Sequence, residues 1–308
     1  MYSRILVPLD GSKLAERILP YATLLNRTFG TRIDLLRAVT PPSVADSSYA
    51  EIAILPSRAS ASDLVEYAAK YMKGVEDNLR SSGIEATSTT QLGNPADVIA
   101  EHAAKEPNTL VAMSTHGRTG MTRWVMGSVT DRVIQMVDQP MLVVRPNLDE
   151  PGPEEFKFET IIVPLDGSSE AEQGMEQTLP LAKALGLRVV LVTANPDPKD
   201  YYMVEDYPAG GVFYDFTKDV EQADTMTQTY LERIAVRLRG EGFDTVEIRL
   251  SHGDAGGAIV DIAKETPNSL IGMATHGRSG VGRWVMGSVS SRVIRHSGDP
   301  VLLTRTKG

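Results

Sequence analysis

The 308-residue chain contains no cysteine. Disulfides, thiol nucleophiles and thiolate-bound metals are thereby excluded, and a reducing, cytoplasmic setting is the matching expectation. No apolar run approaches the roughly 18 residues that a membrane-spanning helix needs. The beginning, Met-Tyr-Ser-Arg-Ile-Leu-Val-Pro, enters a strand-like run almost at once and lacks a signal-peptide layout. Positive charge is also short: 31 basic residues stand against 40 acidic ones, a net charge of −9. Neither nucleic acid nor a membrane surface is therefore expected as the main partner, although a small anion needs only a local cluster of donors. Enzymatic equipment is sparse. There is no Walker lysine, no catalytic-loop set and no nucleophile–base pair, and His116 and His276 have no Glu or second His beside them at metal-ligand spacing.

What is present is a duplication. The length suits two domains of about 150 residues each, and 42% hydrophobic with 23% charged residues is a globular composition. Leu6-Val-Pro-Leu-Asp-Gly-Ser12 returns as Ile162-Val-Pro-Leu-Asp-Gly-Ser168, an offset of 156; His116-Gly-Arg returns as His276-Gly-Arg, an offset of 160. The second copy is thus longer by four residues, inserted after its second strand. Repeats of this size are whole domains. We divide the chain into a first domain at residues 1–146, a linker at 147–157 and a second domain at 158–308. The segment Asn147–Glu155 is acidic and carries Pro and Gly, as an exposed connector does.

In the first copy the apolar pattern predicts strands at 4–9, 32–39, 85–91, 109–113 and 141–145. Helices are expected at 13–29, 61–80, 95–105 and 129–137, with Asn94 as an N-cap and Pro95 at the first helical position. Pro20 and Pro180 fall inside the first helix of each copy, where kinks are expected. Alternating strands and helices imply an α/β domain with right-handed crossovers and a mostly parallel sheet.

The densest signal is the stretch Ser114–Val129, which returns as Ala274–Val289. Each follows a buried-strand run and leads into an amphipathic helix. Ser128 and Ser288 stand where an N-cap belongs. A Gly-Ser pair there directs backbone N–H groups outward at the positive end of the helix dipole, which suits a phosphate. A glycine turn that merely joins strand to helix is the plainer alternative. In open parallel sheets, ligands bind beyond the carboxyl ends of the strands. Asp10 and Asp166, in the Asp-Gly-Ser turns after the first strands, lie at that edge; they suit a sugar hydroxyl or a hydrated metal ion, or simply a helix-starting turn. Backbone groups near Ala38 suit the edge of a base.

Taken together, these blocks resemble a tandem universal stress protein of the ATP-binding type. That family carries Gly-x2-Gly-x9-Gly-Ser/Thr after its fourth strand. Here the pattern falls on Ser114, Gly117, Gly127 and Ser128, and on Ala274, Gly277, Gly287 and Ser288, so the first glycine is replaced in both copies. The resemblance implies two doubly wound, Rossmann-like domains, each with a five-stranded parallel sheet in the order 3-2-1-4-5. It implies nucleoside pockets lined by Pro8, Asp10 and Ala38, and by Pro164, Asp166 and Ala194. Val129 and Val289 follow the Gly-Ser pairs, and Arg118 and Arg278 could pair with phosphate. The implied ligand is ATP with Mg²⁺, with no metal bound by protein side chains alone.

Three functions are open at this stage: a nucleotide-binding stress-response or signalling protein, a slow ATPase or autophosphorylating enzyme, and a scaffold without nucleotide. The first is favoured. His116 and His276 read as loop-ordering or phosphate-neighbouring residues, Trp124 and Trp284 as packing or interface residues, and Arg123 and Arg283 as facing solvent or a partner. Tyr201, Tyr202, Tyr207 and Tyr214 belong to the longer second insertion. The apolar last strands, Met141–Val144 and Val301–Leu303, are expected to pair as an intrachain pseudo-dimer, because an open apolar edge invites aggregation. A further homo-oligomer is left open.

Overall fold

The structure is a computed structural model that describes residues 2–40, 60–115, 126–145, 156–197, 217–275 and 286–306. Its first compact unit runs to Lys157 and takes in Pro300–Arg305; the second begins at Phe158.

The first repeat holds strands β1 (Arg4–Pro8), β2 (Arg32–Val39), β3 (Ala86–Leu92), β4 (Thr109–Ser114) and β5 (Met141–Val144). Its helices are α1 (Lys13–Glu16), α2 (Leu19–Phe29), α3 (Ala61–Ser81), α4 (Pro95–Ala104) and α5 (Ser128–Met136). The strands lie in the order β3-β2-β1-β4-β5, and every pairing among them is parallel. Ile5, Leu6 and Val7 are all buried, as are Leu110, Val111 and Ala112. Consecutive residues point to opposite faces, so helices must cover the central strands on both sides.

The second repeat follows the same plan. Its strands are β6 (Thr160–Pro164), β7 (Arg188–Asn195), β8 (Val246–His252), β9 (Ser269–Ala274) and β10 (Val301–Thr304). Its helices are α6 (Ser169–Ala184), α7 (Thr217–Gly240), α8 (Ala255–Glu265) and α9 (Ser288–His296). The order is β8-β7-β6-β9 with β10 as fifth strand, and β6, β7, β8 and β9 are joined by parallel pairings. Within the first compact unit, β10 runs antiparallel to β5, with Leu302 opposite Leu142.

The two prolines behave differently. Pro20 ends one helix and starts the next: α1 stops at Glu16 and α2 begins at Leu19, with proline in its first turn. A proline has no N–H for the carbonyl four residues back and its ring collides with it. That carbonyl belongs to Glu16, the last residue of α1. The expected single kinked helix over 13–29 is therefore two helices. Pro180 instead lies inside the continuous α6.

Most helix starts are capped as their sequences demand. Ser12 Oγ accepts from Ala15 N at 3.1 Å, Ser168 Oγ from Ala171 N at 3.1 Å, and Asn94 Oδ1 from Ala96 N at 3.1 Å. Ser60 and Asp63 complete a reciprocal capping box at α3. Because the strands of each repeat are parallel, the turns after β1 and β4 and the starts of α1, α4 and α5 all gather at one sheet edge. The site is built there.

Candidate functional site

A cavity of about 290 Å³ opens at this edge in the first repeat. Pro8, Asp10, Ala38, Ser114, Gly127, Ser128 and Val129 line it, so strand ends and a helix start far apart in sequence converge. The second repeat has a cavity of about 230 Å³ lined by Pro164, Asp166, Ala194, Ala274, Gly287, Ser288 and Val289. Gly117, Arg118, Gly277 and Arg278 lie outside the described residues, as do His116, His276, both tryptophans and the tyrosines of the second insertion.

The turn after β1 combines two roles. Asp10 Oδ1 accepts from Ser12 N at 2.9 Å and Ser12 Oγ at 2.7 Å, while that same hydroxyl caps α1. Asp166 and Ser168 repeat the arrangement at 3.0 and 2.5 Å. The carboxylate is thus both part of the turn and part of the cavity wall. Gly11 lies between, at φ +89°, a backbone region that side chains rarely adopt. A Cβ there would also stand 2.6 Å from Arg37 Nη1. Arg37 is buried, with its guanidinium 5.2 Å from the centre of the Tyr71 ring. The Tyr71 hydroxyl donates to Glu16 at 2.8 Å. Burial first, then the bond to Glu16, pushes that phenol up. In the second repeat Thr193 takes the place of Arg37 and donates to the Leu165 carbonyl at 2.7 Å.

The start of α5 corrects one expectation. Gly127, not Ser128, is the N-cap, and no side-chain oxygen among the described residues closes the first turn; Gly287 does the same at α9. Ser128 and Ser288 are the first helical residues. The reason is a close backbone approach: Gly127 N donates to the Thr115 carbonyl at 2.8 Å, and Gly287 N to Thr275 at 3.0 Å. This pulls the glycine against the strand end and leaves the serine one position too late to cap. The first turn of a helix has backbone N–H groups without intrahelical partners. Where Ser12, Asn94 and Ser168 cover theirs, α5 and α9 present theirs toward the cavities at the positive helix end.

Several lining residues escaped the sequence reading: Ala15, Leu36, Pro95, Ile99, Met113 and Thr130, with Ala171, Val192, Ala255, Ile259, Met273 and Ser290 in the second repeat. One signal pointed to the α4 group. Asn94-Pro95 starts a helix directly after β3, so its first turn belongs at the same edge as the other strand ends. The second repeat also has a polar cluster at the ends of β7 and β8. There the His252 ring meets Asp224 Oδ1 at 2.9 Å, Asn195 Nδ2 donates to the same oxygen at 2.8 Å, and Thr227 donates to Asn195 Oδ1 at 3.0 Å.

The model of the universal stress protein family matches residues 1–145 and again 157–305. The chain belongs to the universal stress protein family. It is 30% identical over 149 residues to universal stress protein MJ0531 of Methanocaldococcus jannaschii, an alignment covering 47% of this chain and 83% of that protein. It is 24% identical over 148 residues to universal stress protein YxiE of Bacillus subtilis, covering 47% of this chain and all of the relative. A crystal structure of a universal stress protein from Archaeoglobus fulgidus shares the fold with a TM-score of 0.69 at 20% identity, covering 99% of both chains. This universal stress protein therefore carries two family domains, each with its own cavity. Among the described residues, no group of three or more His, Asp or Glu side chains is placed to share a metal ion, and no helix is long and apolar enough to cross a membrane.

Proposed function

We propose that each domain binds one adenine nucleotide, ATP with Mg²⁺, and that occupancy rather than turnover is the protein's output in stress signalling. The observation that carries this reading is the pairing, in each cavity, of an N-terminal helix turn lacking a side-chain cap with a carboxylate one strand away. Backbone N–H groups of the first turn of α5 and α9 suit phosphoryl oxygens. Asp10 and Asp166 suit ribose hydroxyls, and the chain at Ala38 and Ala194 suits the base edge. Leu36, Ile99 and Met113, with Val192, Ile259 and Met273, supply the apolar wall that a purine requires. Both carboxylates are tied into turns by serine, which fits positioning better than proton transfer.

Calorimetric titration with ATP is expected to give two nucleotides per chain. Gly127→Val and Gly287→Val should each remove one site, and His116→Ala and His276→Ala should cost little. A stoichiometry of one would overturn the two-site reading, and no binding at millimolar ATP would overturn nucleotide binding altogether. We also propose that the two domains form a pseudo-dimer within one chain through their last strands. The antiparallel register of β10 on β5 supports this.

A further inference from the structure

The duplication supplies an internal control, because the two cavities can be compared wall by wall. Asp10 and Asp166 make the same turn bonds. The Thr130 hydroxyl donates to the Ser114 carbonyl at 3.2 Å, and its counterpart Ser290 donates to the Ala274 carbonyl at 3.1 Å. These hydroxyls are committed alike in both repeats. At the end of β4 the likeness stops. Ser114 stands where the second repeat has Ala274, and this replacement adds a hydrogen-bonding group to one described cavity wall alone. Ser114 is only 7% exposed, and its Oγ has no hydrogen-bond partner among the described residues. A buried hydroxyl left unpaired is costly and calls for an explanation. Its residue is held against the first turn of α5 by the Thr130 bond, beside the N–H groups assigned to phosphate.

We infer that Ser114 Oγ is a ligand-binding group that donates to a phosphoryl oxygen, making the two sites of this protein unequal. The inference rests on the nucleotide reading above and deepens it. One hydrogen bond to a charged oxygen corresponds to about tenfold in affinity. The first cavity therefore holds ATP about tenfold more tightly than the second, and the domains fill in order as ATP rises.

The test uses the full chain and calorimetry with Mg-ATP. Gly287→Val leaves the first cavity to be read alone, and Gly127→Val leaves the second. The Gly287→Val protein is expected to bind about tenfold more tightly than the Gly127→Val protein. Adding Ser114→Ala to Gly287→Val should erase that difference. Ala274 shows that this strand position accepts alanine, so the variant folds. Because it deletes an unpaired buried oxygen, Ser114→Ala should also raise the melting temperature without nucleotide while weakening binding. A purely structural serine would lower both, and that result overturns the inference. Unchanged first-cavity affinity after Ser114→Ala also overturns it but leaves the nucleotide reading intact. Failure of the wild-type chain to bind ATP removes both.

Discussion

At the scale of single residues, the glycines that open α5 and α9 show which constraint a motif position carries. Gly127 and Gly287 both have φ −57°, an angle alanine adopts freely, so backbone conformation does not demand glycine. Space does. A Cβ at Gly127 would stand 2.6 Å from the Thr115 carbonyl oxygen, whereas at Gly287 the corresponding distance is 3.3 Å. Gly127→Ala should therefore destabilise the first domain by about 1–3 kcal/mol, in the range of overpacking, and Gly287→Ala by clearly less. Urea unfolding of the two variants side by side checks the order. Asp299 offers a pH-dependent case. Burial pushes its carboxyl up from the usual 3.8 to about 6. The folded state then holds the proton more tightly than the unfolded chain, so this group adds stability as pH falls through 6 toward 4 and penalises folding above 6. Asp299→Asn is expected to raise the melting temperature near pH 7.5 and to lose that advantage below about pH 4. A constant difference across that range would contradict the assignment.

Among elements, the amino ends of β1 and β2 show how the repeats diverged under one fold. Arg4, 4% exposed, pairs with Asp34 at 3.1 Å, donates to Thr109 Oγ1 at 2.8 Å and also bonds the His102 carbonyl. Arg32 meets Asp34 at 3.2 Å and Glu106 at 2.5 Å, closing a charged cluster. The second repeat has Thr160 and Val190 at the positions of Arg4 and Asp34, so the same strands pair there without the buried pair. Removing one member of a buried pair strands the other charge at about 3–5 kcal/mol, while replacing both by packed neutral residues is often close to neutral. Arg4 keeps Glu106 at 3.8 Å when Asp34 is lost, and Asp34 is itself only part-buried. Asp34→Val should thus be destabilising by less than that full penalty, and Arg4→Thr with Asp34→Val should recover much of the loss. A double-mutant cycle by chemical denaturation measures this directly. A double variant no better than the single would mean that Arg4 stabilises β1 chiefly through Thr109 and the α4 carbonyl.

For the whole molecule, the proposed pairing of domains has a side-chain counterpart. Arg305, just past β10, pairs with Asp138 at 3.0 Å and donates to the carbonyls of Ile134 and Gln135 at 2.7 and 2.8 Å. It thus closes the carboxyl end of α5, whose amino end opens on the first cavity. A cation there is also favoured by the helix dipole. Residues 1–157 and 158–308, expressed separately, are expected to associate, and Arg305→Ala should weaken that association. Halves that remain monomeric at high concentration on a sizing column would count against the pairing.

The duplication, the alternation of strands and helices and the two glycine–helix starts are all legible in the chain, because each is written in neighbouring residues. Periodicity places β4 and α5, Asn94-Pro95 marks the start of α4, and the repeated Asp-Gly-Ser blocks mark the turns after β1 and β6. The cavity walls are another matter. Met113, Ile99 and Leu36 become neighbours of Asp10 only when the strands take the order β3-β2-β1-β4-β5, which joins strand ends separated by long stretches of sequence. Tertiary packing also made Gly127 rather than Ser128 the N-cap, through its bond to the Thr115 carbonyl. It left Ser114 Oγ buried without a partner among the described residues while Ala274 offers no such group. Local sequence reports what one element prefers; which groups meet, and which are left unpaired, depends on side chains and carbonyls that arrive from other elements.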